Sequence, residues 1–192
     1  CIMIVQFILD CILLIVHYFI ECYHSHERVR RKKTMKSIVI YYSLDGNTEM
    51  IASLIKENID ADLIKIQPIK EVPKSGFMKY FWGGKSVVFN EKPALLNEPI
   101  DLTSYDKIYI GSPVWNASYA PPLTTFFTIN KVVNKDIYLF ACHGGGGTKV
   151  FNKKLSNLLL NNTIVSTIDF IDPLKSNKDE IAIKVKDWLA RG

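Results

Sequence analysis

The sequence predicts an α/β fold: a five-stranded parallel sheet with helices on both faces, a three-layer sandwich. Apolar runs rich in β-branched and aromatic residues recur five times after residue 35, each of strand length. Stretches with apolar residues at helical spacing alternate with them. Such alternation is the pattern of parallel strands joined by right-handed helical crossovers.

Residues 36–42, KSIVIYY, read as a buried strand. Residues 48–59 follow as an amphipathic helix carrying Ile51, Leu54, Ile55 and Ile59 on one side. DLIKIQP, 62–68, is the second strand, closed by Pro68. The stretch 69–103 is long and holds Pro73, Pro93 and Pro99. Inside it SGFMKYFWGGKSVVF predicts a short helix ending at Gly83 and Gly84. Its Tyr80, Phe81 and Trp82 either cover a substrate, dock a partner or pack along the sheet edge.

YDKIYIGSP, 105–113, is the third strand, and APPLTTFFTI, 120–129, opens a helix on two prolines. KDIYLFACHGGGG, 135–147, is a fourth strand running into four glycines. The helix 148–160 places Val150, Phe151, Leu155, Leu158 and Leu159 on one side. TIVSTIDFID, 163–172, is the fifth strand. The closing helix, 177–192, turns Ile181, Val185, Trp188 and Leu189 inward, with Asn177 and Glu180 at capping-box spacing.

The 192 residues suit one domain with an appendage. The net charge of +5 divides into +2 for residues 1–35 and +3 for the remainder. No basic run interleaved with aromatics appears in the body, so no nucleic-acid partner is expected. Cys1, Cys11 and Cys22 precede the body, and Cys142 stands alone in it. Their spacing gives no zinc signature, and no metal site is expected. One free cysteine in the body fits a reducing compartment, hence a cytoplasmic location.

Residues 1–34 are a hydrophobic and basic N-terminal extension, set apart from a domain spanning 35–192. Residues 2–20 match the length of a membrane-spanning helix, and ERVRRKK supplies a basic flank. Gln6, Asp10 and His17 interrupt the run, and Asp10 at mid-bilayer would cost about 2.5–3.5 kcal/mol. The chain opens on Cys1, whereas Met35 directly precedes the first strand. The alternatives are a membrane anchor, a misassigned start and a signal-like segment, the last without a small-residue cleavage site.

In a parallel sheet the segments after strands one, three and four gather at the carboxyl edge, where open α/β sheets bind ligands. The first, SLDGNT, offers hydroxyls from Ser43 and Thr48, the Asn47 amide, and a tight turn at Gly46 before a helix N-terminus. Together these suit a phosphate, or alternatively an ordinary capped turn. It lacks the lysine of triphosphate loops, so a monophosphate is the better expectation. The second, GSPVWNASYAPP, carries Trp115 and Tyr119, for stacking on a flat ring or for capping the core. The third, ACHGGGGT, has glycines that suit close backbone approach to a planar ligand or a flexible connection. His143 is either a base or redox-proton partner, or structural. Cys142 reads as a buried small hydrophobe.

These segments, in this order, resemble those of the flavodoxin family. SLDGNT is similar to that family's Ser/Thr-x-x-Gly-Asn-Thr phosphate loop, and the likeness covers residues 36–192. The resemblance is to the compact bacterial branch with Gly-x-Pro-Val-Trp and a glycine-rich third loop. It implies a flavodoxin-like strand order of 2-1-3-4-5 and noncovalently bound flavin mononucleotide (FMN). By that resemblance Ser43, Gly46, Asn47 and Thr48 hold the phosphate, with Leu44 and Asp45 contributing main chain. Pro113, Val114, Trp115 and Asn116 border the isoalloxazine ring, with Trp115 stacking. Gly144, Gly145 and Gly146 approach its other edge, and His143 matches by position only.

Two departures stand out. Many flavodoxins are strongly acidic, whereas this domain is +3, which argues against a low-potential, ferredoxin-replacing role. Many have glycine beside the second-loop aromatic, where this chain has Asn116 and Ala117. The implied function is electron transfer between redox proteins, or an oxidoreductase passing hydride from NAD(P)H to a small acceptor. The alternative is a non-redox nucleotide- or phosphate-binding module on the same fold. A membrane enters only if residues 2–20 are an anchor.

Overall fold

The first strand, β1 (Ser37–Tyr41), is buried throughout, as expected of a strand with neighbours on both sides and helices on both faces. The structure, a computed structural model, describes residues 15–17, 35–72 and 91–192. The chain divides into two units, Cys1–Met35 and Lys36–Gly192. Among the described residues no helix is long and apolar enough to cross a membrane. The expectations for residues 2–20 and for 75–89 lie outside the described residues, apart from 15–17.

After β1 come α1 (Asn47–Asn58) and β2 (Ala61–Lys65), then β3 (Lys107–Trp115) and a two-residue β4 (Ser118–Tyr119). α2 (Pro122–Ile129), β5 (Asp136–His143), α3 (Thr148–Leu158), β6 (Thr163–Ile171), a 3-10 turn (Pro173–Lys175) and α4 (Lys178–Leu189) complete the unit. The strands pair in the order β2-β1-β3-β5-β6, all parallel. Counting only these five, that is the predicted 2-1-3-4-5 order. β4 folds back antiparallel on the end of β3.

Alternation along each strand divides the core into two layers. Ile38 and Ile40 of β1 face Leu123, Phe126, Phe151 and Leu155 of α2 and α3. Val39 and Tyr41 face Ile51 and Ile55 of α1 and Ile181, Val185 and Trp188 of α4. β3 and β5 approach closely at Gly111, where a Cβ would lie 2.1 Å from the Phe140 ring. No other residue type fits there without displacing a buried aromatic.

Three sequence expectations need correction. β3 runs on through Pro113 to Trp115, so the second segment is the end of a strand and a hairpin, not a loop. Its pairing with β1 stops at Gly111, and an unpaired strand side is where proline is tolerated. Val150 is 46% exposed, because Phe151 and Leu155 define the buried stripe of α3 and Val150 flanks it. The second helix begins at Pro122, two residues later than expected. Asn177 does cap α4, accepting from the Asp179 and Glu180 N–H groups. The described part of the 69–103 stretch lies along β2's side, through Ile69 N–H to the Ala94 carbonyl and Leu96 N–H to the Gln67 carbonyl.

Candidate functional site

The segment after β1 turns through Gly46, whose φ of +91° is open to glycine at little cost. Gly46 N–H donates to Ser43 Oγ at 3.1 Å, which fixes the turn. α1 starts directly afterwards with no side chain capping its first amides. Those amides, together with the helix dipole, make a seat for an anion. The Thr48 hydroxyl is buried there and makes no hydrogen bond of ordinary geometry. The Cys142 thiol, a weak partner, lies beside it. A buried hydroxyl without a good partner is costly, and a phosphate oxygen at this seat would satisfy it.

Trp115 ends β3, and Asn116 (φ 46°) and Ala117 (φ 54°) form the two-residue turn into β4. Two consecutive left-handed residues are what a tight hairpin matching strand twist requires. Asn adopts this conformation readily, while Ala bears strain. Ser112, fully buried, braces the hairpin: it accepts from Ala120 N–H at 2.9 Å and donates to the Pro113 carbonyl at 2.9 Å. The Trp115 indole meets the Tyr42 ring edge-on, with centroids 5.6 Å apart. Tyr42 is buried and donates to Glu71; burial first, and that carboxylate second, hold its phenol far above the ordinary range.

After β5, His143 has both ring nitrogens engaged. Gly146 N–H donates to Nδ1 at 2.8 Å, so the ring proton sits on Nε2 and points to Asp169 Oδ2 at 2.9 Å. This histidine braces the glycine segment and has no idle nitrogen for proton transfer to a ligand. Gly146 (φ 135°) and Gly147 (φ 88°) are required by backbone conformation, and Gly147 also packs on Ala117 of the hairpin. Two of the four glycines therefore serve the turn itself.

Together the segments enclose a cleft of about 730 Å³, within the ~300–1,000 Å³ typical of small-molecule sites. Leu44, Asp45, Asn47, Pro113, Val114, Trp115, Asn116, His143 and Gly144 of the predicted set line it. Ser43 and Thr48 sit buried behind the wall, and Gly46 forms the turn beneath it. Gly145 and Gly146 are exposed, outside the lining. Cys142, Asp172, Leu174 and Lys175 also line the cleft. Cys142 was expected only in the core; burial pushes its thiol up to about 12.

The last three belong to the turn after β6. Asp172 N–H donates to the His143 carbonyl at 3.0 Å, and Leu174 N–H donates to Asn47 Oδ1 at 3.1 Å. The turn thus links the glycine segment to the phosphate-type loop. The signal for it was available: the fifth strand's exit reaches the same sheet edge as the other three.

A search of the curated proteins finds no match. Among solved structures, a Lactobacillus acidophilus flavoprotein in complex with FMN is 20% identical with a TM-score of 0.63, covering 81% of this chain and 99% of its own. A Bacteroides uniformis protein described as a flavoprotein is 24% identical, TM-score 0.68, covering 82% and 99%. The apo form of the L. acidophilus protein, determined by NMR, is 22% identical, TM-score 0.53, covering 74% and 97%. At these identities the likeness establishes the shared fold. The sequence profile of the flavodoxin family matches residues 36–189, most of the chain, and the chain belongs to that family.

Proposed function

We propose that the cleft binds FMN and that the protein moves electrons through it. The observation that carries this reading is the convergence of residues 43–48, Trp115 and the start of the glycine segment on one cleft. The buried, poorly partnered Thr48 hydroxyl beside uncapped helix amides supports a phosphate at one end. The Trp115 indole, held edge-on by Tyr42, offers a flat apolar surface for a ring at the other. The solved relative in complex with FMN supports the same assignment. When bound, FMN supplies one- and two-electron chemistry that no side chain here provides.

This chain's residues bind, orient and exclude water. Pro113 and Val114 present apolar walls, and the hairpin braced by Ser112 fixes the height of the indole. His143, engaged at both ring nitrogens, ties the glycine segment down through the Gly146 N–H. The role is either carriage of electrons between proteins or reduction of a small acceptor at the expense of NAD(P)H. Stopped-flow mixing of the FMN-loaded protein with NADPH separates them. Fast bleaching of the flavin band without a helper reductase marks the enzyme, and an unchanged band marks the carrier.

A further inference from the structure

We propose that Lys175, on the turn after β6, is a phosphate-binding residue that gives the cofactor site a fourth wall and a specificity for phosphorylated flavin. The inference rests on the FMN reading above and adds the residue that supplies the missing cation. SLDGNT contains no lysine or arginine, yet a phosphate monoester is close to a dianion at neutral pH. The cleft lining contains two carboxylates, Asp45 and Asp172, and both His143 ring nitrogens are already engaged within the protein. Lys175 is the only lysine or arginine among the described residues that line it. Among the described lining residues it is the one cation that offsets two negative groups, beside the backbone dipoles, hydroxyls and amide of SLDGNT.

The placement favours the phosphate end over the ring end. Leu174, the preceding residue, donates its N–H to Asn47 Oδ1, and its Cδ1 lies 3.4 Å from where a Cβ on Gly46 would stand. The turn is therefore fastened to the phosphate-type loop itself. The Lys175 ammonium meets Asp172 Oδ2 at 3.1 Å, and its side chain is 79% exposed. So exposed an ion pair is weak, and a flexible four-carbon stem lets the ammonium exchange partners. Asp172 acts as the resting partner: it holds the cation beside the cleft, competing with a phosphate for it.

The test is a fluorescence-quenching titration of the full chain with FMN and with riboflavin, which lacks the phosphate. The proteins are the wild type, Lys175→Gln, Asp172→Asn and the double variant. Loss of one charge-assisted contact predicts roughly tenfold weaker FMN binding by Lys175→Gln, with riboflavin binding unchanged. Asp172→Asn, whose new side chain tolerates the left-handed backbone there (φ 37°), should tighten FMN. The opposite signs separate the proposed contact from general damage to the fold, and the double variant should lose the gain from Asp172→Asn.

Equal FMN binding by Lys175→Gln and wild type overturns the proposal while leaving the FMN reading intact. So does an equal loss for FMN and riboflavin, which would place the lysine at the ring or in the fold. A wild type that binds neither flavin overturns both.

Discussion

Thr48 and Cys142 face one another at the buried end of the cleft, and each is in an unfavourable state that can be measured. Burial raises the thiol from its ordinary 9.0 to about 12, against a small lowering from the Thr48 hydroxyl. As pH rises past about 9 the unfolded chain loses this proton first, so the unfolded state gains and stability falls. Native protein at pH 8 should therefore resist iodoacetamide at Cys142, and Cys142→Ala should flatten the decline in stability above pH 9 followed by urea melts. Thr48→Val removes the poorly partnered hydroxyl at nearly constant shape. It should stabilise the ligand-free protein by about 1 kcal/mol in denaturant titrations while weakening FMN uptake. Equal or lower ligand-free stability would mean that the hydroxyl is satisfied after all. Neither state is written in the sequence: the two residues are nearly a hundred positions apart, and only the pairing of β1 with β3, and of β3 with β5, brings them together.

At the scale of elements, the hairpin after β3 holds a strained residue where glycine would serve better. Ala117→Gly should relieve part of a left-handed penalty of about 1–2 kcal/mol, offset by the greater freedom glycine gives the unfolded chain. A net rise in melting temperature with no loss of FMN binding is expected; a fall would show that the methyl group packs productively. Strands and helices were largely legible, because β-branched runs and 3.6-residue spacing report burial directly. Asn177 was legible as a cap for the same local reason. The hairpin was not: Asn116 and Ala117 lack the glycine that usually marks such a turn, so β3 appeared to stop at Pro113. Four glycines in a row suggested a ligand-facing backbone, but φ angles at Gly146 and Gly147 show that half the run serves turn geometry. The turn after β6 was legible only from topology, since its strand exits at the same edge as the others; the composition of Asp172, Leu174 and Lys175 does not distinguish them from an ordinary connection.

For the whole molecule, the two core layers pin the strands so that their carboxyl ends share one edge, and every cleft residue sits on or just beyond such an end. The unit from Lys36 onward holds every strand among the described residues and both core layers. A protein beginning at Met35 is therefore expected to fold cooperatively and to bind FMN as tightly as the full chain; weaker binding would assign residues before it a part in the site. The central claim, that separate strand exits grip one phosphorylated ring, is tested most directly by amide NMR of the full chain during FMN addition. Saturable shifts are expected together at residues 43–48, the Trp115 indole N–H, Gly144 and Lys175. Shifts confined to one of these segments, or none at all, would contradict it.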